Sequence, residues 1–78
     1  MYYHECMNDL ILTQREKDTL ELLVKGYSNE EIAESLVVSV HTVKAHLENI
    51  YYKFNVHNKV QAAVHAISCG IIDIKAVS

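Results

Sequence analysis

Seventy-eight residues, half of them apolar and 22% charged with two Gly and no Pro, make one small globular domain and exclude both a disordered linker and a two-lobed, substrate-closing enzyme. No apolar run exceeds three residues, against the roughly 20 a membrane span needs, and the start MYYHECMNDL lacks the basic and apolar blocks of a secretion signal. A net charge of −3 argues, on average, against a polyanionic partner.

Helix punctuation recurs along the chain. Thr13 with Glu16 forms a capping box, and Gly26 offers a left-handed end, so the first helix is expected over about Gln14 to Lys25. Ser28 with Glu31 repeats the box, with Tyr27 and Ile32 at staple spacing, and a second helix of about two turns runs from Asn29 to Leu36. Only Val37 and Val38 separate it from Ser39, the cap of a third helix whose pattern persists to Phe54, about 22 Å long. Asn55 tolerates the conformation that ends a helix, and Asn58 with Gln61 opens a fourth that reaches Cys69 before Gly70. No segment alternates like a strand, so the fold is all-α. One domain over residues 1–78 is expected, its core within 10–72, with 1–9 and 74–78 as loosely held ends.

The third helix sorts its residues by face. At about 100° per residue, Val43, Leu47, Ile50 and Phe54 share one stripe, which is the core face. Thr42, His46, Asn49 and Lys53 form a donor-rich flank, Lys44 and Tyr51 the other, and His41, Ala45, Glu48 and Tyr52 lie opposite the core. Such a helix suits a DNA major groove, flanks to phosphates and front to bases, although any solvated bundle helix also has a polar face. The very short helix before it tips the balance toward a helix-turn-helix, despite a turn without Gly. Charge agrees: residues 1–38 hold three basic and eight acidic side chains, a balance of −5, while residues 39–78 hold four and two, a balance of +2. A polyanion feels the local face within a Debye length of about 10 Å.

The string LTQREKDTLELLVKGYSNEEIAESLVVSVHTVKAHLENIYYKFNV closely resembles the LuxR-type helix-turn-helix, also called the GerE or NarL/FixJ type. The pattern L-T-x-R-E, G-x-S-N-x-E-I-A, S-x-x-T-V-K-x-H and a K-L-G-V-like end recurs in register from Leu12 to about Ala66. The resemblance implies a four-helix domain of the winged-helix-like superfamily without a wing. It also implies a sequence-specific, double-stranded-DNA-binding transcriptional regulator of bacteria; with neither a span nor a secretion signal in view, the cytoplasm is its expected location. By position it implies Lys44 and His46 at bases or phosphates, Thr42 at the backbone, Ala45 and Glu48 at the groove floor, and Lys53 and Lys59 near the backbone. His41 and Asn49 complete the helix's contact face, and Asn29 opens a helix whose N–H groups can hold a phosphate. Glu48 departs from the basic or neutral residues of many relatives: it can accept from a cytosine amino group, weaken binding, or pair with Lys44 one turn earlier. Val40, commonly polar in relatives, can touch a thymine methyl or join the core. Asn55 stands for the usual Gly.

The fourth helix is apolar over about 220°, with Val60, Val64, Ile67 and Ile71 on one line and Ala62, Ala66 and Cys69 nearly opposite. The small side suits the domain and the Val/Ile line a second subunit, as the resemblance also suggests, unless the C-terminal segment folds back over it. Cys6 and Cys69 are expected as free thiols, and the His spacings fit no zinc motif, so no metal or cofactor is expected. With no phosphate loop or nucleophile elbow, no enzyme activity or small-molecule ligand is expected either. With no sensor domain expected on this chain, regulation falls to abundance, a partner or a part of a longer protein. Two other readings stay open: a protein-interaction module that binds another regulator through the acidic helices, and a sigma-factor-like segment.

Overall fold

The computed structural model describes residues 12–73, and the expectations for residues 1–9 and 74–78 lie outside them. Four helices follow in order: α1 (Gln14–Val24), α2 (Asn29–Leu36), α3 (Val40–Phe54) and α4 (Lys59–Ser68), with no strand among the described residues. Each start is built as the capping residues foretell. Thr13 Oγ1 accepts from the Glu16 N–H at 3.1 Å while Glu16 Oε1 accepts from the Thr13 N–H at 3.0 Å, and Ser28 and Glu31 repeat the exchange. Ser39 Oγ caps the Thr42 N–H at 3.0 Å and Asn58 Oδ1 the Gln61 N–H at 2.9 Å. Gln61 reaches back one residue further than a capping box does, its Oε1 accepting from the His57 N–H at 2.8 Å.

All four ends close alike, with an N–H just past the helix bonded five residues back: Tyr27 to Leu22, Val38 to Ala33, Val56 to Tyr51 and Ile71 to Ala66. This closure needs one left-handed residue, and Gly26, Val37, Asn55 and Gly70 supply it with φ of 94°, 59°, 58° and 73°. Gly and Asn carry that conformation cheaply; a β-branched residue does not. Val37 gains no packing in exchange, since it is 88% exposed. Val37→Gly is therefore expected to stabilise the domain by about 1 kcal/mol, the usual cost of the left-handed region for an L-residue. Thermal unfolding should show a midpoint raised by roughly 4–8 °C; an unchanged or lower midpoint would mean that Val37 sits there without strain.

The core is the convergence of one stripe from each helix. Leu20 and Leu23 of α1, Ile32 and Ala33 of α2, Val43, Leu47, Ile50 and Phe54 of α3, and Ala62 and Ala66 of α4 are all buried. α3 lies against all three other helices, so its direction is fixed by the whole core rather than by one neighbour. Its stripe is the one the 3.6-residue period picks out, and Val40, half-buried, packs on the same cluster. The small side of α4 does face inward, and it brings His65 with it, buried with its ring centroid 4.2 Å from that of Phe54. The expectation of free thiols is not met at Cys69, which is half of a disulfide, while Cys6 lies outside the described residues. The absence of a C-x-x-C spacing, on which that expectation rested, does not bear on a bond between distant positions.

Candidate nucleic-acid interface

The cap at Ser39 and the core stripe together orient α3. With Val43, Leu47, Ile50 and Phe54 pinned inward, the residues about 180° around the helix must face out. His41, Lys44, Ala45, Glu48, Asn49 and Tyr52 are all exposed, and they form one continuous surface along the helix. Thr42 and His46 are half-buried on its edge. Thr42 Oγ1 lies 3.0 Å from Ser39 Oγ, so this hydroxyl belongs to the cap as well as to the surface. Tyr52, 87% exposed at the C-terminal end of that surface, lies opposite the core but matches no contact that the resemblance implies. Its signal was size: a large aromatic ring left in solvent opposite the core.

Lys53 sits differently from the other flank residues. Its Nζ donates to Glu16 Oε1 at 2.7 Å, with the lysine side chain 20% and the glutamate 4% exposed. Burial disfavours the charged form of Glu16. The Lys53 hydrogen bond, the Thr13 N–H and the charges of Lys53 and His46 outweigh that and hold the carboxyl below its usual 4.5. The pair ties the start of α1 to the end of α3 and spends much of the lysine's charge inside the protein.

Asn29 is the first residue of α2, and its Oδ1 is buried without a hydrogen-bond partner among the described residues. Lys59 is half-buried and opens α4, the next helix after this surface. It lines a shallow groove with Leu23, Tyr27, Glu31, Val60 and Ala63. The residues named for pairing split in two. Val60 and Val64 stand 72% and 58% exposed, while Ile67 and Ile71 are half-buried and Ile71 packs on the core. Among the described residues no group of three His, Cys, Asp or Glu is gathered to hold a metal ion, and no helix is long and apolar enough to cross a membrane.

Residues 10–66 match the family of bacterial regulatory proteins of the luxR type, GerE. The transcriptional regulatory protein DegU of Brevibacillus brevis is 45% identical over 65 residues, 83% of this chain and 28% of DegU. The response regulator protein VraR of Staphylococcus aureus and that of Staphylococcus epidermidis are each 42% identical over 62 residues, 80% of this chain and 30% of theirs. The chain therefore spans under a third of the length of the curated relatives it matches. The matched region holds all of α1, α2 and α3, the turn between the last two, and most of α4. This chain belongs to the luxR family of bacterial regulatory proteins and carries that family's helix-turn-helix DNA-binding domain.

Proposed function

We propose that this chain regulates transcription in the cytoplasm by binding double-stranded DNA sequence-specifically, with α3 in the major groove and a second copy joined through α4. The observation that carries the reading is the outward surface of α3, where Lys44 and its neighbours stand clear of the core on a helix held from three sides. A major groove about 12 Å wide admits such a helix, and its rim of phosphates meets the flanks. In this arrangement Lys44, Ala45 and Glu48 face base edges, and His41, Thr42, His46 and Asn49 reach bases or the adjoining backbone. Tyr52 has its hydroxyl free for a phosphate where the helix leaves the groove. Asn29 and the N–H groups that open α2 take a phosphate at the helix's positive end. Lys59 adds charge toward the backbone, and Lys53 chiefly fixes α3 against α1. The domain needs no metal, cofactor or small molecule for this, and binding rather than catalysis is its work.

Salt titration of duplex affinity tests the reading. Affinity should fall steeply as salt rises, because each neutralised phosphate releases counterions. Failure to bind any duplex at low salt would reject it in favour of an interaction module that uses the acidic helices.

Pairing through α4 rests on Val60 and Val64, two β-branched side chains left in solvent on one face. Two copies bound to adjacent half-sites multiply modest contacts. Val64→Asp is expected to leave the monomer folded, since the site is open to water, and to halve the mass measured by analytical ultracentrifugation. A wild-type protein that already sediments as a monomer, or a variant whose mass is unchanged, would refute pairing through this face.

A further inference from the structure

Glu48 is an acid at the centre of a surface proposed to meet a polyanion. It is exposed, it lies between Ala45 and Tyr52 on the line opposite the core, and it has no ion pair or hydrogen bond among the described residues. Pairing with Lys44 would have explained it as a neutralised charge, but no such contact forms. Lysine preceding glutamate by one turn is also the weaker order for a helical pair. The carboxylate therefore enters the groove with its charge uncompensated by the protein, and every phosphate within about 10 Å repels it.

Only a base that offers a proton returns that cost. Two bases do so in the major groove, cytosine through its N4 amino group and adenine through N6. Adenine places the N7 acceptor beside that donor, which repels the second carboxylate oxygen, whereas the neighbour of the cytosine amino group is a C–H edge. We propose that Glu48 is a specificity-determining residue that accepts a hydrogen bond from the N4 amino group of a cytosine, fixing a C·G pair in each half-site. This rests on the groove-binding reading above. Lys44, one turn earlier, suits a neighbouring guanine through O6 and N7, so a G beside the C is the expected half-site signature.

Selection of bound sequences from a randomised duplex pool, run in parallel on the wild-type protein, Glu48→Gln and Glu48→Ala, tests this. Circular dichroism should show all three folded alike, because the side chain is exposed and makes no ion pair or hydrogen bond among the described residues. The wild type should enrich C at one position of each half-site, with about tenfold weaker binding when that base is changed. Glu48→Gln should move the preference to A, the base a side-chain amide reads through N6 and N7, and Glu48→Ala should flatten that position while leaving the others enriched. A wild-type selection without a fixed C, or a C preference that survives in Glu48→Ala, overturns the role of Glu48 and leaves groove binding standing. A wild type that enriches no sequence and binds no duplex overturns both.

Discussion

Lys53→Ala is expected to destabilise the domain by about 3 kcal/mol, because it strands the Glu16 carboxylate, 4% exposed, without the ammonium that lies 2.7 Å away. In a domain of this size such a loss lowers the melting midpoint by more than 10 °C. The pH dependence carries a sign that a simple packing defect would not produce. In the wild type Glu16 is held below its ordinary 4.5, so the folded state binds fewer protons than the unfolded one; that contribution is complete above the ordinary value and is lost as pH falls through the lowered one. Without Lys53, burial is opposed only by the Thr13 N–H and the charge of His46, so the carboxyl rises relative to its wild-type position. The variant is then penalised at neutral pH and relieved by acid. The gap between the two proteins should narrow from pH 7 toward pH 4 in denaturant titrations. Glu16→Gln combined with Lys53→Met, which removes both charges, should recover most of the loss. A Lys53→Ala cost below about 1 kcal/mol, constant with pH, would show that the pair contributes no more than a surface contact does.

Lys44→Ala should leave folding intact and reduce duplex affinity about 100-fold in a dimer, since two copies of one lysine are removed and a good lysine contact to guanine carries about 1–3 kcal/mol. If Lys44 also releases counterions, the slope of log affinity against log salt should fall by about 2. Fluorescence anisotropy on a selected duplex, measured over a salt series, reads both quantities at once. Equal affinity and equal slope for wild type and variant would remove Lys44 from the contact.

Much of the fold could be read from residue type and spacing because its determinants are local. Thr13 with Glu16, Ser28 with Glu31 and Ser39 with Thr42 interact within one turn, so the starts of the first three helices follow from neighbours in the chain. The stripe of Val43, Leu47, Ile50 and Phe54 likewise needs only the helical period. What escaped the sequence was contact between distant positions. Glu16 read as a capping residue alone, and nothing in its neighbourhood announces Lys53, 37 residues on. The same pairing turned Lys53 from a flank cation into a tether between helices. Val37 escaped for a different reason: residue preference argues against a left-handed valine, and the closure shared by all four helix ends overrode it. His65 lies on the inward side of α4 by its angle, but its polarity disguised a core residue stacked on Phe54. On the pairing face the angle alone grouped four residues, and only the packing of Ile71 on the core separated it from Val60 and Val64.

The acidic half of the molecule keeps a second mode of action in view, since Glu30, Glu31 and Glu34 of α2 are exposed and would repel DNA that approached from that side. It also dictates where a duplex can sit, pushing the phosphates toward α3 and away from the glutamates of α2. Backbone amide resonances followed by NMR while a selected duplex is added report that position residue by residue. The largest changes should fall on His41, Lys44, Ala45 and Glu48, with smaller ones at Asn29 and Tyr52 and none on the outer face of α1. Perturbations confined to α1 and the acidic side of α2, or a spectrum that does not change at low salt, would contradict insertion of α3 into the groove.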